Sequence, residues 1–380
     1  MRLGRREVRQ IRPAEGQPSG ALGDLLPLLR CPRTRAELRP GPDGSLVSEN
    51  GRSSYPVVVG VPILIDDARS LVDALWTLDG RARSLDDESR RPTALRRKLD
   101  SLLRWLPTSE RNVAAKRNFA RLAHLLRVRA ASGRRPRVLL IGSPHTDGAE
   151  GLLGRPELEV IETDIAFASS TNVVCDPHDM PFADDVFDAV VIRGVLDGVL
   201  DPPRVASEVH RVLAGDGLVY SEAGFVRQTD VGALDFNRFT HLGHRRLWRW
   251  FDEIESGAES GPAAALLRAI EHFFRSFLGE SRLARPTIRQ TVALAGFWLK
   301  YLDHLLVRRP GGIDAASATF FLGTRRETPL PDRVIVAGFR GIAVDGQRLP
   351  APRLEPAPVD EIRASRGIRI FRKERASRSV

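Results

Sequence analysis

Residues 172–225 constrain the fold more than any other stretch of this chain. They read NVVCDPHDMPFADDVFDAVVIRGVLDGVLDPPRVASEVHRVLAGDGLVYSEAGF. Two apolar runs, Ala189–Ile192 and Gly217–Tyr220, flank a segment whose Val205, Val209 and Val212 recur at helical spacing. Ahead of them lies a polar loop that closes in Met180-Pro181-Phe182 and the turn Ala183-Asp184-Asp185. Strand, acidic loop, strand, helix, strand is the order of the second half of a doubly wound sheet, so the chain is expected to be α/β.

The first half of such a sheet is also legible. Arg137–Gly142 reads as a buried strand ending in glycine, and Leu158–Ile165 and Asn172–Cys175 as the second and third strands. Ala189–Ile192 and Gly217–Ala223 follow as the fourth and fifth, and Phe251–Ser256 and Ser317–Gly323 as the last two. A helical insertion, 261–309, separates that final pair, with helices expected around Leu266–Leu278 and over Val292–Leu306. Before the first strand, Ala115, Phe119, Leu122 and Leu126 share one helical face, with Ser109 as an N-cap candidate. Arg333–Gly338 reads as a short strand.

These patterns divide the chain into a basic arm (1–20), a small module (21–66), a linker (67–108), the main domain (109–325) and a basic extension (326–380). At 380 residues there is ample core for one large and one small domain. Much of the net charge of +10 lies at the two ends, Arg2–Arg12 and Arg363–Arg378, which reads first as solvated, disordered tails and second as a contact for a nucleic-acid or anionic-membrane partner. No aromatic-basic recognition motif points to nucleic acid. Cys31 and Cys175 fit no disulfide framework. Residues 1–20 lack the apolar core of a signal peptide and no window approaches the ~20 apolar residues of a spanning helix, so a cytoplasmic location is expected.

Asn172–Phe225 resembles the D-A-x-x-L-P-F, F-D-x-V and H-R-V-L-x-P-G-G run of class I S-adenosylmethionine (SAM) methyltransferases of the type 11 kind. That resemblance implies a Rossmann-like seven-stranded sheet with an antiparallel last pair, and SAM as cofactor. Four cofactor contacts are implied with it. After strand one the family has an acidic residue and x-G-x-G-x-G; this chain has Leu140-Ile141-Gly142-Ser143-Pro144-His145-Thr146-Asp147-Gly148, so Gly142, Ser143 and Gly148 are the candidates and the loop is degenerate. Asp164, which ends strand two 22 residues after Gly142, is the ribose ligand, with Glu162 in reserve. Asp176 is placed to meet the adenine amino group; Pro177 after it has no N–H to give, which turns attention to His178 or Asp179. Arg193, at the end of strand four, could meet an anion, and Gly198 stands where the family often has a histidine.

Downstream, Asp235–Leu247 resembles the D-F-x-R-F-T-x-x-G-L-R-R-L segment of the same branch, which would set Asp235, Arg238, Thr240 and His241 over the cleft. Asp235, His241 and Arg193 are the weak candidates for catalysis; no residue stands out, and no metal site is implied. The end of the small module, Tyr55-Pro56-Val57-Val58-Val59-Gly60-Val61-Pro62-Ile63-Leu64, resembles the A-Y-P-I-x-x-G-I-P-x-L signature of the activator subunits of tRNA and release-factor methyltransferases. With Thr34 where a second cysteine would pair with Cys31, a metal-free module is expected. The reading is therefore a SAM-dependent methyltransferase acting on an oxygen or nitrogen of an unidentified acceptor. A non-catalytic scaffold of the same fold is the alternative, and 262–306 is a lid, a packing element or a peripheral membrane contact.

Overall fold

The structure, a computed structural model, describes residues 21–72, 112–129, 133–142, 155–167, 170–229, 232–278 and 284–342. Ser109, Ser143, Gly148, the basic arm, nearly all of the linker and residues 343–380 of the C-terminal extension lie outside the described residues. The chain begins with helix α1 (Ala21–Leu25), a three-stranded antiparallel sheet of β1 (Leu38–Pro40), β2 (Leu46–Ser48) and β3 (Ser54–Tyr55), and a hairpin of β4 (Val57–Val58) and β5 (Val61–Leu64).

The main domain follows as α2 (Ala115–Arg129), β6 (Arg137–Ile141), β7 (Glu159–Asp164), β8 (Val173–Cys175), β9 (Phe187–Ile192), α3 (Pro202–Val212) and β10 (Leu213–Gly224). Then come α4 (His241–Leu247), β11 (Phe251–Ser260), the insertion helices α5 (Pro262–Leu278), α6 (Ala284–Gly296), α7 (Leu299–Leu306) and α8 (Pro310–Asp314), β12 (Ala318–Arg325) and α9 (Asp332–Ala337).

One sheet organises all of it, in the order β11-β12-β10-β9-β6-β7-β8-β5-β4. From β10 to β5 every pairing is parallel, and β12 runs antiparallel between β10 and β11. The seven expected strands are present in a doubly wound order that reverses between β6 and β9. The sheet is nine-stranded rather than seven-stranded, because the small module adds β5 alongside β8, Ile63 opposite Val174 and Leu64 opposite Cys175. An unpaired β8 edge would bare a row of backbone donors and acceptors, and β5 covers it. Ile63 and Leu64 have no exposed surface, each worth about 1.5–3 kcal/mol of burial.

Helices cover both faces. Phe119, Leu122 and Leu126 of α2 pack on Leu140, Val191 and Tyr220, whereas Val205, Val209 and Val212 of α3 pack on the opposite face with Val190 and Val219. Asp201 starts α3 by accepting the Arg204 N–H at 3.2 Å, with Pro202 at the first helical position. The module's Leu25, Leu29, Leu46 and Tyr55 join the α3-side cluster, so the two parts share one core. Arg35 reinforces the join, donating to the Met180 carbonyl and, at 2.7 Å, to Glu208 of α3.

Two local expectations need correction. Arg333–Gly338 is helical, not extended: Ile335 is buried, and Arg245 donates to the Ile335 and Gly338 carbonyls at 2.8 and 2.9 Å, supplying partners that a helix end needs. The expected helix over Val292–Leu306 is two helices, broken after Gly296, where a Cβ would strike Leu267 at 2.2 Å.

Candidate active site

The sheet reverses its winding between β6 and β9, and a doubly wound fold opens its crevice at the carboxyl ends of the strands there. Gly142 sits at that point. Its N–H donates to the Thr163 carbonyl of β7 at 2.9 Å, and the Arg193 N–H beyond β9 donates to Ile141 at 3.2 Å. Gly142 has φ +92°, and a Cβ there would lie 2.3 Å from the Arg193 carbonyl oxygen. Only glycine fits both the dihedral and the gap.

Asp164 ends the neighbouring strand β7. Its carboxylate accepts the Ala166 N–H at 3.0 Å, and burial holds its pKa above the ordinary carboxylate value. Among the described residues no cation is paired with it. Glu162, two residues earlier, has Oε2 buried without a hydrogen-bond partner among the described residues.

Asp176, after β8, is more heavily engaged. It accepts from the His178 N–H at 2.9 Å, from His178 Nδ1 at 2.6 Å and from the Ser70 hydroxyl. Burial alone would raise its pKa; the His178 and Ser70 bonds outweigh it and hold the carboxyl below the usual range. His178 Nε2 receives the Asp201 N–H at 3.1 Å, so in the neutral ring the proton belongs on Nδ1, facing Asp176. His178 thus ties the loop after β8 to the start of α3. Ser70 was not legible as a partner of Asp176: the small module's strand β5 carries it there, while Arg33 braces the same turn through Asp66 at 3.0 Å.

Arg193 is not free to meet an anion as expected. It is 4% exposed, donates to Glu222 Oε2 at 2.7 Å and lies 5.0 Å from the Phe119 ring centre. Burial opposes its charge, yet Glu222 outweighs burial and keeps the guanidinium ionised. Tyr220 and Asn112 complete the Glu222 carboxylate at 2.6 and 3.2 Å. Glu259 adds a second carboxyl nearby, on a bulge of β11 between Ala258 and Ser260 that re-aims its side chain. Burial, with the Glu222 charge second, pushes Glu259 up to about 8. Burial likewise raises Asp197, which accepts the Gly224 N–H at 2.9 Å. Glu222 and Glu259, at the ends of β10 and β11, thus both lie in the field of Arg193.

The Asp235–Leu247 segment divides. Asp235 is clamped by Arg238, which also donates to the Arg227 and Gln228 carbonyls, so this pair shapes the loop beyond β10. Thr240 caps α4 through the Gly243 N–H at 3.0 Å. His241 is buried against β11, its Nε2 2.8 Å from the Ser256 hydroxyl. Burial, then Arg245 and Arg340, lower its pKa to about 4. His244 bridges Ser221 and Thr319 at 2.8 and 3.0 Å, and burial lowers it to about 3. Both rings are held neutral inside the fold. Gly142, Asp164 and Asp176 meet at adjacent strand ends; His241 packs against β11 instead. Among the described residues no cluster of three or more metal-ligating side chains occurs.

Glu222 gave the same signal as Asp164, an acid closing an apolar run, and could have been found. Glu259 could not, because a bulge is invisible to period-two alternation.

Comparison with known proteins adds two results. An N-terminal stretch of 51 residues is 47% identical to a UPF0434 protein of Rhizobium meliloti, covering 82% of that protein and 13% of this chain. The N-terminal part of the chain belongs to the UPF0434 family. Downstream of this UPF0434 module, residues 154–221 match the sequence model of a methyltransferase domain.

Among solved structures, a Haemonchus contortus phosphoethanolamine N-methyltransferase 2 with S-adenosylhomocysteine bound is similar at 16% identity and TM-score 0.35, over 55% of this chain and 53% of its own. The present chain therefore spans about half of that protein's length. A complex of the Haloferax volcanii Trm112 methyltransferase activator with a methyltransferase is similar at 14% identity and TM-score 0.35, covering 68% of this chain and all of the other. A Burkholderia thailandensis 1,6-didemethyltoxoflavin N1-methyltransferase is similar at 12% identity and TM-score 0.34, over 73% and 96%.

Proposed function

We propose that the chain is a SAM-dependent methyltransferase whose UPF0434 module is built into the cofactor crevice. The observation that carries the proposal is the juxtaposition of Gly142, at positive φ and wedged between neighbouring strands, with Asp164 at the end of the next strand, at the point where the sheet reverses. SAM, when bound, supplies an activated methyl on its sulfonium. The chain's part is to bind and orient it.

The residues fit that task unequally. Asp164 has lone pairs available for the two ribose hydroxyls, and Gly142 lets the backbone come close. At the adenine end Asp176 already holds Ser70 and His178, so base recognition would share that carboxylate with the module. Ser143 and Gly148 remain candidates for the methionine end. Arg193, Glu222 and Glu259 lie toward the acceptor side, where Glu259, protonated near neutrality, could pass a proton to or from an oxygen or nitrogen nucleophile. Asp235 shapes the neighbouring loop, and His241 acts through packing.

Thermal unfolding in the presence of S-adenosylhomocysteine tests the reading. Ligand that binds only the folded state raises the midpoint. The wild type is expected to shift upward and Asp164→Ala to shift little; equal shifts would remove Asp164 from the site.

A further inference from the structure

Helix α5 is inside out. Its inward arc carries Arg268 and Glu271, each 6% exposed, while its outward arc is centred on Leu266, Phe273 and Phe277. At 3.6 residues per turn these three lie within about 40° of one another. Phe277 is 71% exposed and Phe273 59%. A helix in water shows the reverse arrangement, with charge outside and aromatics within.

Exposed apolar side chains continue through α6 and α7. Leu294, Phe297, Trp298, Tyr301, Leu302 and Leu305 are all exposed. Asp303 of α7 accepts the Ala263 and Ala264 N–H groups at 2.9 and 3.1 Å, which locks α7 to the start of α5. Of the 18 large apolar side chains exposed among the described residues, ten belong to α5–α7 and the turn at Phe297-Trp298, so the exposure is a property of the insertion and not scatter.

Charge selects the occupant. Residues 261–309 hold eight basic residues against three acidic ones. Asp303 and Arg268 are buried and Glu271 faces Arg275 at 3.4 Å, which leaves Arg289, Arg308 and Arg309 as the exposed arginines among the described residues of the insertion. A second copy would press two basic faces together. Lipid phosphates would complement them, with Phe, Trp and Tyr entering the headgroup boundary. No helix among the described residues is long and apolar enough to cross a membrane, so the contact is with a surface.

We propose that α5–α7 form a docking face for an anionic lipid surface. The proposal does not rest on the methyltransferase reading. The test is co-sedimentation of the full chain with phosphatidylcholine vesicles, with and without phosphatidylglycerol, across a salt series, beside analytical ultracentrifugation without lipid. The variant is Phe273→Ser, Phe277→Ser and Trp298→Ser combined; all three side chains are exposed, and its thermal midpoint is checked against the wild type. The expected result is binding to the anionic vesicles that weakens as salt rises and falls at least about tenfold in the variant. Two results would overturn it. One is a monomeric chain that leaves both vesicle types in the supernatant. The other is a concentration-dependent dimer that the variant abolishes while vesicles are ignored, which assigns the face to a second copy.

Discussion

Replacing Gly142 by alanine probes the site and the fold together. The added Cβ would meet the Arg193 carbonyl oxygen at 2.3 Å and Val195 Cγ2 at 2.5 Å, the first about 1 Å short of the 3.4 Å where ordinary contact begins. Val195 can rotate away. The Arg193 carbonyl cannot, because the Arg193 N–H is bonded to Ile141 and its side chain to Glu222, so relief means parting β6 from β9. Overpacking of this kind costs about 1–3 kcal/mol. Holding an L-residue at φ +92° adds about 1–2 kcal/mol. The sum, about 2–5 kcal/mol, is a large part of the roughly 5–15 kcal/mol that holds a domain folded. Urea unfolding followed by circular dichroism should show a lower midpoint at unchanged slope. A change within about 0.5 kcal/mol, the ordinary range for an innocuous surface substitution, would refute the reasoning.

Arg193→Met should cost about 3–5 kcal/mol by leaving Glu222 buried without its cation, and Glu222→Gln in the same chain should recover part of it; additive losses in a urea double-mutant cycle would contradict the pairing. Glu259 has a folded pKa raised to about 8 from an ordinary value of 4.5, so its contribution is full below the unfolded value and is lost as pH rises from about 4.5 through 8. Glu259→Gln should therefore flatten the fall of stability over that window, and an unchanged slope would count against the bulge-aimed cluster. His244 is lowered to about 3, so its contribution is present above the unfolded value of 6.5 and is lost as pH falls toward 3. His244→Gln should flatten that acid limb in a pH series of thermal melts, whereas an equally steep limb would place the titration elsewhere.

Seven strands of the main sheet were legible because the apolar runs of β6, β8, β9, β10 and β12 are buried on both faces and the order of the strands follows from the crossovers between them. The two extra strands were not. Val57–Leu64 reads as part of a small module, and nothing in its residues states that Ile63 pairs with Val174 in another part of the chain. Asp164 and Gly142 were legible as a strand-end acid and a strand-end glycine. Arg193 misled because exposure was inferred from its place at a strand end, whereas Glu222, one strand over in β10, neutralises and buries it. Asp176 was legible as an acid following a strand, yet its partner Ser70 is 106 residues distant and reaches it only through the added strand. The inversion of α5 was hidden because its periodicity identifies an apolar face without stating which way that face points.

The most direct test of the account is calorimetric titration of the whole chain with SAM and S-adenosylhomocysteine, repeated on Asp164→Ala. The account predicts micromolar binding to the wild type. It also predicts a loss of at least about tenfold in the variant, since one hydrogen bond to a charged acceptor is worth about 1.5–3 kcal/mol. Absence of heat with millimolar ligand, or equal affinity in the two proteins, would contradict it.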